Sequence, residues 1–431
     1  MGDTIFALSS GQPPAGVAVF RISGPATGLV LETICGVLPA PRLASLRTIR
    51  LRNGEALDQG LVIWFPAPGS FTGEDCAELH VHGGRSVIHG AIGLLGSFEK
   101  VRLADRGEFT RRAFENGKLD LTEAEGLSDL IAAETDLQRR LALGLAGGHL
   151  RQKAESWRES LIAIRSSLEA SFDFSDQEDV PGDVADGWRS NAVSVRESIR
   201  LVLENARTGE RVRDGLNIVI AGPPNAGKSS LLNAFAKRDV AIVDDSPGTT
   251  RDLVEVSLDV DGVAVTVVDT AGLRDGAGKV EAEGIRRALQ RAQEADLTIW
   301  LQACGDGTGE VGLVNSPNLV LFRSKDDDGR YGARGISVRR EGGLDGVLKL
   351  IWETVSRCTN VEPGCVTRER QRLALEVCES SLALALECDR AMEEVAADHI
   401  RSASNALGRL TGKMDVEDVL DRIFSEFCIG K

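Results

Sequence analysis

Residues 222–229, Gly-Pro-Pro-Asn-Ala-Gly-Lys-Ser, constrain this chain more than any other stretch. They fit G-x-x-x-x-G-K-[ST], the pattern of a phosphate-binding loop. The apolar, β-branched run at 216–221 predicts a buried strand before it, and residues 229–237 predict a helix after it. A strand, a Gly-rich turn and a helix start set several backbone N–H groups and the positive end of a helix dipole against one anion. Lys228 is then expected to reach the β- and γ-phosphates, and the Ser229 hydroxyl to hold Mg²⁺. With 47 Gly in 431 residues a chance match is the competing explanation, and the strand and helix context argues against it.

A chain of 431 residues exceeds one core, so two or three domains are expected. A hydrophobic share of 42% and a charged share of 27% are those of globular protein. No apolar run reaches the roughly 20 residues of a membrane span, so no membrane association is expected. The N-terminus lacks a basic segment followed by an apolar one, and Phe6 stands where a myristoylation signal has Ser or Thr. The eight cysteines are scattered without a C-x-x-C, which suggests neither a zinc site nor a disulfide framework and points to the cytoplasm. A net charge of −15 argues against broad non-specific nucleic-acid binding and leaves room for a local basic patch.

Four regions follow from the pattern. Residues 1–117 read as mixed α/β, with strands expected at 4–8, 16–22, 46–51, 61–65 and 76–82 and a helix at 83–97. Within them Arg21 and Glu78 suit an inter-strand ion pair, and His80 and His82 share one strand face but lack a third metal ligand nearby. Residues 118–213 read as helical, with Thr122 to Glu125 matching a capping box and continuous helical spacing from 137 to 172 and from 188 to 213. Residues 214–360 alternate strands and helices, which predicts a mostly parallel, two-sided sheet, with a hairpin turning at Asp261-Gly262. Residues 361–431 return to helix at 368–397, 398–410 and 416–427. Helix on both sides of the nucleotide region predicts an insertion into one helical domain.

Three further pieces narrow the nucleotide chemistry. Asp269-Thr-Ala-Gly272 at a strand end supplies a carboxylate for Mg²⁺ and a Gly N–H for the γ-phosphate. Thr249-Thr-Arg-Asp252 suits a switch loop, in which a Thr closes on Mg²⁺ when the γ-phosphate is present. Ser324-Lys-Asp-Asp327 follows a predicted buried strand and resembles N/T-K-x-D, so Asp327 is expected to accept from guanine N1–H and its amino group. Ser337 is expected to give a backbone N–H to the guanine carbonyl. Leu273 stands where many small GTPases carry a water-positioning Gln, so another group must do that work; Glu281 is a candidate, with Asp275 and Glu283 beside it.

With these motifs the chain resembles the MnmE (TrmE) family over essentially its whole length. Besides the P-loop, the residues carrying the resemblance are Phe20-Arg-Ile-Ser-Gly24, Ser70-Phe-Thr-Gly-Glu-Asp75, the run Gly107 to Leu121, Gly248-Thr-Thr-Arg-Asp252 and the terminal Phe427-Cys-Ile-Gly-Lys431. The resemblance implies a multidomain α/β plus all-α fold: an N-terminal tetrahydrofolate-binding domain, a discontinuous helical domain and an inserted Ras-like P-loop domain. It implies a homodimer through the N-terminal domains, and a flavoprotein partner, MnmG (GidA). Together they would add an aminomethyl-type group at C5 of the tRNA wobble uridine, with one carbon from 5-formyl- or 5,10-methylene-tetrahydrofolate. Arg21, Glu78, Lys118 and Lys431 match the folate-contacting positions. GTP contacts are implied at Asn225, Ala226, Gly227, Lys228, Ser229, Ser230, Thr249, Thr250, Asp269, Gly272, Ser324, Lys325, Asp327 and Ser337. Mg²⁺ would meet Ser229 and Thr250, and an activating K⁺ would meet Asn225, Asp244, Ser246 and Thr249, standing where an arginine finger adds positive charge. Glu281 falls at the family's water-positioning acid.

Two departures matter. Ser324 replaces the usual Asn or Thr, which weakens one guanine-loop contact, and Leu301-Gln-Ala-Cys-Gly-Asp306 replaces the usual aliphatic-Asp sequence. Cys428 has two readings: a small apolar residue in the last helical turn, or a thiolate beside the folate site with its pKa lowered by Lys431 or an arginine. The leading function is a K⁺-stimulated GTPase gating a tRNA-modifying complex. The alternatives are a GTP-dependent switch in ribosome assembly without one-carbon chemistry, which the folate-matching segments oppose, and an ATP-using kinase, which Asp327 opposes.

Overall fold

The computed structural model describes residues 2–11, 13–173, 182–223, 225–238, 241–242, 255–269, 294–305, 318–357, 361–362, 364–389, 392–414 and 417–430. The chain forms two compact units, residues 1–128 with 407–431, and residues 129–406.

In the first unit six strands, β1 (Thr4–Leu8), β2 (Ala15–Ser23), β3 (Ser45–Arg50), β4 (Ala56–Phe65), β5 (Cys76–Gly83) and β6 (Val101–Leu103), form one sheet in the order β3-β4-β5-β2-β1-β6. All neighbours are antiparallel except β1 and β6. Side chains alternate across a strand. Ala18, Phe20 and Ile22 of β2 and Ala77, Leu79 and Val81 of β5 are therefore buried, in one core with α1 (Thr27–Cys35) and α2 (Arg85–Gly96). The same alternation turns Arg21, Glu78 and His80 to the opposite face.

A smaller core joins the start of α4 (Leu121–Ala132) to the chain's C-terminal segment through Leu121, Ala124, Ile423, Phe424 and Phe427. Gly107 precedes α3 (Glu108–Glu115) at φ 66°, and a Cβ there would lie 2.4 Å from the Phe424 carbonyl oxygen. No side chain fits that approach.

The second unit holds α5 (Asp136–Ala146), α6 (His149–Asp173), α7 (Gly182–Glu204) and α8 (Ala206–Asp214) ahead of a six-stranded sheet. Its strands are β7 (Leu216–Ala221), β8 (Glu255–Val260), β9 (Val263–Asp269), β10 (Leu297–Ala303), β11 (Leu319–Ser324) and β12 (Gly335–Ile336), in the order β12-β11-β10-β7-β9-β8. Only β8 runs antiparallel to its neighbour. Ile218, Val219 and Ile220 are all buried, the continuous run of a strand covered on both faces. Asp261 and Gly262 turn the β8–β9 hairpin, both with positive φ.

The sheet carries α9 (Lys228–Ala236) and α10 (Asp345–Val355) and is followed by α11 (Glu369–Glu387) and α12 (Glu393–Thr411). Helices from before and after the sheet pack together: α7 lies against α6 and α11. Arg196 pairs with Glu379 at 2.7 Å, and Asp129 accepts from Arg213 and Arg368. The nucleotide sheet thus interrupts a helical assembly.

Several expected elements differ. The helix expected at 137–172 is two, because Gly147 and Gly148 end α5, and Gly148 takes φ 80°. The helix expected at 188–213 breaks at Asn205. The helix expected at 368–397 stops at Glu387, where Cys388 is extended, and α12 runs through the break expected at 397–398. The capping box of α4 is Asp120 with Glu123: each carboxylate accepts the other's backbone N–H, and Thr122 donates to Asp120. A second box, Thr135 with Gln138, caps α5. Helices α1 and α3, strand β6, a 3-10 turn at Gly332–Arg334 and the final helix, α13 (Glu417–Ser425), complete the described elements; α1, α3 and β6 have no expected counterpart. Within the alternation expected for 214–360 the sequence reads as helix at 280–294, and all of that span but Glu294 lies outside the described residues.

Candidate functional site

The phosphate loop lies between β7 and α9. Gly222 has φ 146°, and a Cβ there would sit 2.2 Å from the Leu301 carbonyl oxygen, so only glycine lets the chain leave β7 past β10. Asn225 at φ 62° and Gly227 at φ 89° turn the loop, and α9 begins at Lys228 with Gly227 as its cap. That start leaves backbone N–H groups free to meet an anion. Lys228 is 6% exposed, and its Nζ donates to the carbonyls of Gly222 and Pro223, both at 3.0 Å. The ammonium is folded over its own loop, at the place where phosphate oxygens would meet it. Ala226 is buried and anchors the loop, while Asn225 and Ser230 are exposed.

Two oxygen-bearing side chains converge at the start of α9. Ser229 Oγ donates to Asp269 Oδ2 at 2.7 Å, and Asp269 is 1% exposed at the end of β9. β7 and β9 are parallel neighbours, which brings the P-loop and the second strand end together. A hydroxyl and a carboxylate beside a phosphate-binding loop form the all-oxygen donor set that a small hard cation takes. These residues fit Mg²⁺.

The base end is formed by β11 and β12. Asp327 is half exposed, and its Oδ1 accepts from Ser337 Oγ at 2.6 Å. Ser337 Oγ accepts in turn from the N–H groups of Arg339 and Arg340. The backbone N–H of Ser337, expected to meet the guanine carbonyl, instead donates to Gly343 O at 3.1 Å. Ser337 therefore acts on the loop through its hydroxyl, holding Asp327. Lys325 takes φ 60°, and Ser324 is buried with an Oγ that has no hydrogen-bond partner. Asp326, at the unspecified position of the motif, is 2% exposed and accepts two backbone N–H groups. Its part was not legible, because the pattern places no demand on that position.

In the first unit Arg21 and Glu78 stand directly opposite on β2 and β5 and pair at 2.9 Å. The Arg21 guanidinium lies 5.3 Å from the Phe71 ring centroid and 5.9 Å from that of Phe109. Lys118 Nζ donates to Pro68 O at 3.0 Å, and its chain packs beside Gly73. The loop 66–75 thus lies between Arg21 and Lys118. It is tied to β2 by Ser23, whose hydroxyl donates to Glu74 at 2.6 Å and pairs with Thr72 at 2.7 Å. Arg112 joins Glu74, Asp3 and Glu108, a network sequence reasoning did not single out. Burial opposes the charge on Glu108, but hydrogen bonds from Arg102, the Asp105 N–H and Arg112 hold its carboxyl below the usual range. A guanidinium and an ammonium flanking one loop, with a carboxylate beside them, suit a ligand with an anionic tail and an N–H edge.

His80 faces Glu78 and His82 faces Asp58, and among the described residues no three metal-ligating side chains gather. Cys428 lies beyond the end of α13 and is exposed, so it is not a residue of the last helical turn. Its neighbours are fixed: Ile429 bridges Arg106, and Gly430 O accepts from Ser9 Oγ at 2.9 Å. Asp244, Ser246, Thr249, Thr250, Gly272, Glu281 and Lys431 lie outside the described residues. No helix among the described residues is long and apolar enough to cross a membrane.

Comparison with known proteins gives matches to two family models. Residues 4–118 match the family model of the GTP-binding protein TrmE N-terminus, and residues 121–428 match that of the MnmE helical domain. The chain is 49% identical over 440 residues to the tRNA modification GTPase MnmE of Bradyrhizobium sp. (strain ORS 278), covering 99% of both chains. It is 48% identical over 437 residues to the MnmE of Brucella canis, covering 100% of this chain and 98% of that one. Among solved structures, the G domain of the T. maritima FeoB iron transporter is 22% identical and aligns with 32% of this chain and 98% of its own, at a TM-score of 0.25 that adds no weight.

Proposed function

The chain belongs to the MnmE family of tRNA modification GTPases, and from that membership we propose a division of labour among its parts. Residues 214–360 hydrolyse GTP. Residues 1–117 bind tetrahydrofolate and pair with a second copy of the chain. The helical parts, 118–213 and 361–431, pass the state of the nucleotide to the folate and tRNA site.

In the nucleotide site Lys228 and the N–H groups at the start of α9 bind and orient the β- and γ-phosphates. Ser229 and Asp269, with Thr250, would hold Mg²⁺, which supplies positive charge to the phosphoryl group under transfer. Asp327 reads the guanine edge, held by Ser337, and Gly272 offers its N–H to the γ-phosphate. Asn225, Asp244, Ser246 and Thr249 would hold K⁺ beside the phosphates, which adds charge where other GTPases use an arginine. Glu281 orients the attacking water.

In the folate site Arg21, Lys118 and Lys431 bind the anionic tail and Glu78 the pterin N–H edge; the bound 5-formyl- or 5,10-methylene-tetrahydrofolate supplies one carbon. Cys428, exposed in the terminal segment, is the candidate catalytic thiolate for the one-carbon chemistry. GTP turnover opens and closes paired nucleotide domains and does none of the uridine chemistry. The group added at C5 of the wobble uridine is of the aminomethyl or carboxymethylaminomethyl type, and the work is shared with a flavoprotein of the MnmG (GidA) kind in the cytoplasm.

The observation carrying this reading is that similarity to tRNA modification GTPases spans 99% of both chains, so it takes in the N-terminal unit as well as the P-loop. The test is binding of 5-formyl-tetrahydrofolate to the full chain, measured by calorimetry. Saturable binding that Arg21→Ala and Glu78→Ala each weaken by about tenfold supports the reading. Absence of folate binding by the intact chain removes the one-carbon role.

A further inference from the structure

At the base end of the nucleotide site one side chain is idle and its near neighbour is heavily engaged. Ser324 is 3% exposed, and its Oγ has no hydrogen-bond partner. Its Cβ lies 3.9 Å from where a side chain on Gly227 would begin, so it faces the phosphate loop without being bonded to it. A buried hydroxyl without a partner has given up water for nothing, and it holds no loop in place.

Asp326 is 2% exposed. Its Oδ1 accepts the Arg330 N–H at 2.8 Å and its Oδ2 the Tyr331 N–H at 3.1 Å. Its own N–H donates to Ile336 O at 3.0 Å, and its carbonyl accepts the Gly329 N–H at 3.2 Å. One residue thus closes the turn 326–331 and ties it to β12. Hydrogen bonds accepted by a charged carboxylate are stronger than those of a neutral group. The anchor also has a fitted seat, because a Cβ on Gly335 would lie 1.9 Å from Asp326 Oδ2. The next residue is Asp327, whose half-exposed carboxylate is aimed by Ser337.

We propose that this chain anchors its base-reading loop through Asp326 seated on Gly335, in place of residue 324, and that Asp326 is the positioning residue that sets how strongly guanine is preferred. The inference rests on Asp327 reading the guanine edge. To do so Asp327 must present both oxygens to N1–H and the 2-amino group together. A loosened turn lets that carboxylate swivel. The loss then falls on the base contacts, while the phosphates stay bound at the far end.

The test is the affinity of the full chain for GDP and for IDP, which lacks only the 2-amino group, measured by calorimetry. Asp326→Ala is expected to lower the GDP-to-IDP affinity ratio by about tenfold. Asp326→Asn keeps one oxygen acceptor and should lower it less. Gly335→Ala displaces the carboxylate and should reproduce the Asp326→Ala result. A general loss of stability would weaken both nucleotides alike and leave the ratio where it was. An unchanged ratio in Asp326→Ala and Gly335→Ala overturns the proposal. If Asp326→Ala does not fold, Asp326→Asn and Gly335→Ala decide by the same criterion. Asp327→Asn with XDP separates the two levels: a switch of preference from GDP to XDP upholds the base reading whatever the anchor variants do, and no switch overturns that reading together with this one.

Discussion

The phosphate end and the base end of the nucleotide site are built from different parts of the chain. The phosphate end is mostly backbone. Gly222, Asn225 and Gly227 take positive φ, α9 offers its N–H groups, and Lys228 is held by two carbonyls of its own loop. The base end is mostly side chain: Asp326 clasps its turn, Ser337 aims Asp327, and Ser324 does nothing visible. Backbone geometry demands particular residues at fixed spacing, which is why the P-loop is a recognisable pattern. A side-chain anchor needs only some group that reaches, so it leaves a weaker pattern in the sequence.

Substitutions at the two ends should fail in different ways. The largest effect is expected from Lys228→Ala. Removing the cation from the γ-phosphate should lower GTP turnover by about a hundredfold or more, read in a phosphate-release assay. A drop of less than about fivefold would mean that the backbone carries the phosphate end alone. Next comes Gly222→Ala, which drives a Cβ into the Leu301 carbonyl oxygen and should cost about 2 kcal/mol of stability in denaturant unfolding. An unaffected midpoint would show that the crossing past β10 is loose. The smallest is Ser324→Asn. An amide there has both a donor and an acceptor to offer the facing phosphate loop and should tighten GDP binding by about threefold. Weaker binding would show that the pocket around residue 324 is closed to a larger group.

The same contrast explains what was legible in the sequence. Period-two burial in β2 and β5 put Arg21 and Glu78 opposite one another, and Asp261-Gly262 marked its hairpin, because each signal is local. The strand–loop–helix around Lys228 was equally plain. Helices α1 and α3 and strand β6 were not, being short elements held by cores that form between distant segments: Val30 of α1 and Val101 of β6 share a core with Val62 and Leu79, and Phe114 of α3 packs against the one that holds Phe424. The cap at Asp120 rather than Thr122 differs by two residues, and only the geometry of the first turn decides between them. The Ser337 N–H is expected at the guanine carbonyl from its place after Asp327, but it donates to Gly343 O instead. Asp326 is one of three successive acids in the sequence, and nothing short of the fold distinguishes its buried carboxylate from solvated ones.

We propose that a potassium ion beside the phosphate loop completes the transition state for GTP hydrolysis. The most direct test is GTP turnover by the full chain in KCl and in NaCl at equal ionic strength, with Asn225→Ala alongside and excess ATP as competitor. Turnover at least about tenfold faster in KCl is expected, lost in Asn225→Ala and unaffected by ATP. Equal rates in the two salts would contradict it.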